Sequence, residues 1–236
     1  MTEELFRQDA YLKSCEATVT AIDGAGIALD RTVFYLVGGG QPADTGTLTT
    51  GDGGTIPIVD TRKDKASGAQ LHLAEDDGHG LTVGDTVTAA IDWERRYRFM
   101  RMHTCMHLLL SVIDGDVTGG QIGDGKGRVD FNLPDTKLDK EAIDAALNRL
   151  IEADHPTEAR WITDAELAAQ PELIRTMSVK PPTGAGTVRL MEIAGVDLQP
   201  CGGTHVARTG EIGAIRVGKI ENKGRQNRRV NLVFAD

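Results

Sequence analysis

The sequence predicts an α+β chain in which a small N-terminal β-barrel-like domain, residues 1–90, is followed by an α+β domain, residues 91–236. Three observations carry this expectation. Up to residue 90, short β-branched stretches alternate with Gly and Asp turns, the pattern of a small barrel. From Trp93 to about Ile113 the apolar spacing becomes helical. After that, glycine-rich turns, strands and one further strong helix alternate to the C-terminus.

Taken in order, Ala17–Ile22 alternates, Asp23–Gly26 turns, and Ile27–Asp30 returns as a second strand. Residues Thr32–Val37 read as a strand from their β-branched and aromatic content. Gly51–Gly54 turns the chain into Thr55–Val59, and Gln70–Leu73 and Asp85–Asp92 read as two more strands. His72 alternates within a strand and His79 sits in a Gly-His-Gly turn, so both are expected to be structural or exposed. On the Trp93–Ile113 helix, Cys105 is expected to act as a small buried hydrophobe. Gly119–Gly127 reads as a glycine-rich loop leading into the strand Arg128–Leu133. Residues 136–153 predict a helix capped near Thr136 or Asp139, with Ile143, Leu147, Leu150 and Ile151 on one face. A shorter helix begins near Asp164, Gly184–Ile193 reads as turn then strand, and Gly213–Ile220 and Arg228–Phe234 read as the last strands.

Composition excludes several classes. No apolar run approaches the length of a membrane span. Met1-Thr2-Glu3-Glu4 is acidic and no apolar stretch follows, so no secretory signal is expected. Three cysteines, Cys15, Cys105 and Cys201, make no disulfide framework, and a reduced, cytoplasmic protein is expected. The net charge of −9 is uneven: residues 1–90 carry 14 acidic and 6 basic side chains, residues 91–236 carry 21 and 20. Within the second part Arg95, Arg96, Arg98 and Arg101 cluster, as do Lys219, Lys223, Arg225, Arg228 and Arg229. Such local stripes bind phosphate even on an acidic chain.

The chemistry is concentrated in two segments. His103 and His107 stand four apart on the expected helix, so their rings share one face. Nearly a hundred residues later, Cys201-Gly202-Gly203-Thr204-His205 follows a proline and must be a loop. Imidazole and thiolate are the ligands zinc prefers, and together the two segments predict one Zn2+ site of His103, His107, Cys201 and His205. Thr104 stands where a zinc peptidase carries its glutamate base, which argues against peptide hydrolysis.

Met100–His107, Cys201–His205 and Lys219–Arg229 resemble the editing domain of alanyl-tRNA synthetase, and most closely its free-standing relatives, the AlaX proteins. Gly38-Gly39-Gly40-Gln41-Pro42-Ala43-Asp44-Thr45-Gly46 resembles the glycine motif of their medium-length members, which carry an extra N-terminal barrel. Gln121-Ile122-Gly123 resembles the glutamine loop that lines the editing pocket, although Asp124 stands where the synthetase has Ser. The resemblance covers most of the chain in the expected order. It implies an α+β editing domain of the threonyl/alanyl-tRNA synthetase type at residues 91–236, and hydrolysis in trans of alanine tRNA, tRNA(Ala), mischarged with serine or glycine.

An alanine-binding pocket rejects an added hydroxyl by only about 10²-fold, whereas a second site that hydrogen-bonds the hydroxyl discriminates by roughly 10⁴ or more. That second site needs a polar group, and Gln121 and Thr104, with Gln41 beside them, are the candidates. Gly38, Gly39, Gly40, Asp44 and Gly123 are then expected near substrate, and Arg101, Lys223, Arg225, Arg228 and Arg229 at the tRNA backbone. Arg101 has an alternative partner in Asp130. Zinc would either activate water or orient the substrate. The competing readings are a non-catalytic tRNA-binding module with structural zinc, a zinc hydrolase of small esters or amides, and editing of serine on threonine tRNA.

Overall fold

The computed structural model of the chain describes residues 2–65, 67–134, 137–177 and 186–235. They form two compact units, Met1–Gly38 with Pro42–Tyr97, and Gly39–Gln41 with Arg98–Asp236. The expected α+β class is the one found.

The first unit holds β1 (Glu3–Glu4), β2 (Ser14–Asp23), β3 (Gly26–Leu29), β4 (Arg31–Thr32), β5 (Gly46–Thr50), β6 (Thr55–Lys63), β7 (Gln70–Ala74) and β8 (Thr86–Ile91). Six of them close a barrel in the order β2-β3-β7-β6-β5-β8, sealed by antiparallel pairing of β2 with β8. Period-2 alternation turns Ile56 and Ile58 of β6, and Val87, Ala89 and Ile91 of β8, inward. They pack with Val19, Ile27, Leu29 and Leu48. Each fully buried aliphatic side chain of this kind contributes about 1.5–3 kcal/mol.

The strand expected over Thr32–Val37 is not there; only Arg31–Thr32 pairs, in parallel with β1. Val33, Phe34 and Tyr35 are nonetheless buried. The apolar run records burial, and side chains replace the missing ladder. Phe34 N–H donates to Thr32 Oγ1 at 3.0 Å and Tyr35 N–H to Asp44 Oδ2 at 2.6 Å.

The helix α1 (Trp93–Val112) opens in the first unit, where Asp92 caps it by accepting from Arg95 N–H at 3.1 Å. From Met102 to Leu110 every residue is buried, so this half is a core helix of the second unit and not an amphipathic one. Cys105 is fully buried, and burial pushes its thiol up to about 12. It is the inert hydrophobe its position predicts. After α1 come β9 (Asp116–Gly123), β10 (Lys126–Asn132), α2 (Lys140–Glu152), β11 (Thr157–Thr163), α3 (Asp164–Ala168), β12 (Thr187–Ile193), β13 (Asp197–Pro200), β14 (Ile215–Asn222) and β15 (Asn227–Phe234). They form a sheet β14-β15-β10-β9 and a smaller sheet β11-β12-β13. Asp139 caps α2 and Thr163 caps α3; Thr136, the other cap considered, lies outside the described residues.

Gly119–Gly123, expected as loop, belongs to β9, hairpinned to β10. The glycines mark close approach. A Cβ on Gly127, opposite Ile122, would stand 2.8 Å from the Met102 sulfur.

Two buried polar groups brace the barrel unit. Arg96 and Asp44 are both almost inaccessible and form a bidentate pair. The remaining Arg96 nitrogen capacity goes to Val33 O at 2.7 Å and Ala10 O at 3.0 Å. Neither side chain reaches solvent, which corrects the expectation that Arg96 meets phosphate and Asp44 substrate. His72 is the other group. Its Nδ1–H donates to Ile27 O at 3.0 Å, and its Nε2 accepts from Thr32 Oγ1 at 2.7 Å. Both roles require the neutral ring, and burial lowers its pKa to about 4.

The unfolded chain takes up this proton near pH 6.5 and the folded chain only near 4, so stability is complete above about 6.5 and declines as pH falls towards 4. The decline attributable to His72 is about 3 kcal/mol. Denaturant unfolding of the wild type and His72→Gln across this range checks it: the variant should lose that much less stability on acidification. Parallel curves would show that His72 is not buried neutral.

Candidate metal centre

All four sequence-predicted ligands meet in the second unit. The three imidazoles and the Cys201 thiol each offer one ligand atom, and these atoms lie within 4.8 Å of one another. His103 and His107 come from consecutive turns of α1, with ring centroids 5.4 Å apart. Cys201 leaves the end of β13, and the loop after it returns His205 to within 4.3 Å of the His103 ring and 4.7 Å of the His107 ring.

What fits this cluster to a metal is the fate of each ring's other nitrogen. His103 Nδ1 lies 2.9 Å from Gln41 Oε1, an acceptor, so it carries the proton. Gln41 is held in that orientation because its Nε2 donates to Thr204 Oγ1 at 2.8 Å and its Oε1 also accepts Thr204 N–H at 3.1 Å. His107 Nδ1 donates to Asp197 Oδ2 at 2.8 Å. His205 Nδ1 lies 3.2 Å from Thr104 Oγ1, whose own proton goes to Met100 O at 3.0 Å. Thr104 therefore accepts from His205. Every Nδ1–H is committed, which leaves each Nε2 as the atom turned towards the shared centre, and partners of this sort fix ring orientation at metal sites. Cys201 Sγ stands 3.5 Å from His103 Nε2 and 3.3 Å from His205 Nε2.

Electrostatics agree. Burial alone would raise the Cys201 thiol, but His103 and His205 beside it hold it well below the usual thiol range. Burial and the neighbouring His103 push His205 well down, so it is neutral. For His107, burial lowers the pKa, but Asp197 and Cys201 outweigh it and push it up to about 10. Thiolate and neutral imidazole are the metal-binding forms, and the His107 proton is the one a cation displaces.

His103, His107 and Cys201 border a cavity of about 150 Å³. Its walls include the backbone of Gly39, Gly40 and Gly120 and the side chains of Met106, Leu110, Val117 and Gln199. Larger depressions exist, about 690 Å³ beside His79 on the barrel and about 700 Å³ beside Lys223 and Arg225, but neither borders the donor cluster. Gly40 has φ +81°, and a Cβ there would stand 2.5 Å from Gly120 O; Ile122 N–H donates to Gly40 O at 2.8 Å. Gly203 is tighter still, since a Cβ would stand 2.1 Å from His103 Cε1.

Several expectations need correction. Gln121 does not reach the donors. It is exposed, and its Oε1 accepts from the cross-strand Arg128 at 2.9 Å, because strand alternation turns it away from the inward face of β9 that carries Gly120 and Ile122. Thr104 is fully buried and its hydroxyl is spent on Met100, His205 and Val206 N–H, so it positions a ligand rather than meeting substrate. Gln41 likewise positions His103. Gly38 accepts from Tyr35 Oη in the first unit, and Gly123 borders a separate depression with Lys126. Arg101 neither pairs with Asp130 nor presents a free guanidinium. Its Nε donates to Ile212 O at 2.8 Å, and its charge lies 4.2 Å from the centre of the Phe234 ring. Asp130 instead holds Arg229 at 2.7 Å and Arg128 at 2.7 Å. Arg98 pairs with Asp124 at 3.0 Å. Lys223 and Arg225 are exposed between β14 and β15, and Arg228 is half-buried.

Sequence reasoning missed Asp197, Gln199, Thr204 and Arg189. Asp197 and Gln199 alternate on β13 and face His107 together. Arg189 Nη1 ties down Cys201 O at 2.8 Å and Gly203 O at 3.1 Å, shaping the ligand loop. The signal available was a carboxylate and an amide at period-2 spacing running into the cysteine.

Loss of the partner on His103 should weaken metal affinity about 10–100-fold. Competition for a divalent cation between the protein and a chromophoric chelator measures it: Gln41→Ala should show this loss, and Gln41→Glu, which keeps an acceptor, should recover most of it. Gly203→Ala should lose the site. Unchanged affinity in Gln41→Ala and Gly203→Ala would contradict the assigned geometry.

A family described as the threonyl and alanyl tRNA synthetase second additional domain matches residues 188–231, the region of β12, β13 and the ligand loop. The class II (A) tRNA synthetase family matches residues 6–95. Over its whole length the chain is 39% identical to the alanyl-tRNA editing protein AlaX-M of Methanosarcina acetivorans, all of which is covered. It is 36% identical to the AlaX-M of Saccharolobus solfataricus, over 98% of each chain. The alanine–tRNA ligase of Pyrobaculum aerophilum is 36% identical over 93% of this chain but only 25% of the ligase. With a helix-borne histidine pair and a Cys-Gly-Gly-Thr-His loop meeting in one site, and with these relatives matched end to end, the chain belongs to the AlaX-M family of alanyl-tRNA editing proteins.

Proposed function

We propose that this protein is a zinc-dependent aminoacyl-tRNA hydrolase that acts in trans, in the cytoplasm, on tRNA(Ala) mischarged with serine or glycine. The observation that carries the reading is the convergence of three imidazoles and one thiolate in a single cluster, three members of which line a small cavity. A nitrogen-rich set with one sulfur suits zinc, which when bound lowers the pKa of water towards ~7 or polarises a carbonyl.

The protein's own residues supply the rest. Asp197, Gln41 and Thr104 hold the three Nδ1 protons, so the rings cannot turn away from the shared centre. Met106, Leu110 and Val117 give the cavity an apolar wall that suits a short side chain. The scissile bond is an ester, whose alcohol leaves more readily than an amine, so a carboxylate base at position 104 is not required. Lys223 and Arg225, exposed on the turn between β14 and β15, are the candidates for tRNA phosphate contact. Arg229, held by Asp130, serves the sheet instead. No helix among the described residues is long and apolar enough to cross a membrane.

Deacylation assays on tRNA(Ala) charged with serine, glycine or alanine, and on serine-charged threonine tRNA, test the reading with and without a chelator. Serine should be released from tRNA(Ala) at least about 10²-fold faster than alanine, and the chelator should abolish release. Tight tRNA binding with every ester intact would replace the enzyme by a binding module. Preference for threonine tRNA would move the protein to the other branch.

A further inference from the structure

Gln199 has a role that the metal centre does not use. It is only 4% exposed and it borders the cavity. Its Nε2 donates to Asp197 Oδ2 at 2.7 Å. An ionised carboxylate only accepts, so this contact fixes which end of the amide faces Asp197. The same nitrogen lies 3.1 Å from His107 Nδ1, whose own proton points to the same carboxylate. The other end of the amide, Oε1, receives a hydrogen bond from no described residue. Oε1 is not sealed from solvent, so a ligand that displaces water from it must supply a donor or leave the acceptor unpaired at a cost.

We propose that Gln199 Oε1 is the group that selects the amino acid, by accepting the hydroxyl proton of a seryl ester. This rests on the deacylase reading of the same site. The amide oxygen is neutral, and Gln199 lines a cavity whose apolar walls are Met106, Leu110, Val117 and Val129. A short CH₂–OH suits that surrounding: carbon against the apolar wall, donor against Oε1. The three competing esters then differ in what they do to one atom. Serine satisfies Oε1. Glycine leaves space for a water, about 30 Å³, to satisfy it. Alanine's methyl fills that space and leaves Oε1 buried and unpaired, a penalty that rejects it. One acceptor therefore gives cleavage of serine and glycine with alanine spared.

The test is Gln199→Met, which keeps side-chain length and removes both polar ends. Two readouts are needed. The first is kcat/KM on seryl-, glycyl- and alanyl-tRNA(Ala). The second is calorimetric binding of non-hydrolysable amide-linked seryl and alanyl adenosine to zinc-loaded protein. Wild-type protein should prefer the seryl over the alanyl analogue by about 10⁴-fold, and the variant should lose that preference. Its serine-to-alanine ratio in kcat/KM should fall by the same factor. Zinc affinity, measured against a chelator, should hold, because Asp197 still accepts from His107.

An equal fall on all three esters, an unchanged ratio, or a loss of zinc with selectivity intact would overturn the proposal. The last would make Gln199 a positioning residue for Asp197 and His107. Wild-type protein that binds the seryl analogue selectively yet cleaves no ester would sink the deacylase reading and leave the assignment of Gln199 standing. Cleavage of seryl-tRNA with selectivity untouched by the variant would do the reverse.

Discussion

The second unit depends on one constraint: three imidazoles are buried against each other and a thiolate, and the proton on each ring must be fixed in place. Unsatisfied, such a cluster would be strongly destabilising, because polar groups in a low-dielectric interior cost several kcal/mol each when left without partners. The fold answers with a separate partner for every ring. Gln41 serves His103, Asp197 serves His107 and Thr104 serves His205. Their positions explain features that otherwise look unrelated. Residues 39–41 group with the second unit although their neighbours belong to the first. β13 carries its polar side chains towards α1 rather than away. The buried half of α1 tolerates Thr104 because every bond that its hydroxyl can make is made inside the protein.

The same constraint separates positioning from contact. Thr104 and Gln41 sit close to the donors in sequence or space, and both are chemically capable of meeting a substrate hydroxyl. Thr104 has no capacity left, and the Gln41 amide is anchored at both ends. Gln199 differs because its amide is anchored at one end only. The distinction follows from counting donors and acceptors, and proximity alone would have missed it.

Much of this was legible in the sequence. Helical spacing of His103 and His107, and a Cys-to-His loop after a proline, specify four ligands by residue type and order. The barrel follows from alternation in β6 and β8, and α2 from Ile143, Leu147 and Ile151 with Asp139 as its cap. What failed has physical reasons. Thr32–Val37 reads as a strand because its Thr32–Tyr35 part is buried, and its backbone bonds to side chains such as Asp44 and Thr32 cannot be foreseen from pattern. Gln121 was misplaced because a glycine-rich stretch reads as loop, and only pairing with β10 reveals the strand whose alternation turns it outward. Charge clusters were the least informative signal. Arg96 is a core residue paired with Asp44, and Arg101 spends its charge on a carbonyl and an aromatic face, because long-range partners decide whether an arginine is available.

The central claim is that three Nε2 atoms and one sulfur share a single metal ion while the three Nδ1 atoms stay protonated. X-ray absorption at the zinc edge on the loaded protein, backed by metal analysis, tests this most directly. The account predicts one zinc per chain with a sulfur at about 2.3 Å and nitrogens at about 2.0–2.1 Å. The sulfur should disappear in Cys201→Ser while the nitrogens remain. A shell of oxygen alone, or a sulfur signal that survives that substitution, would contradict it.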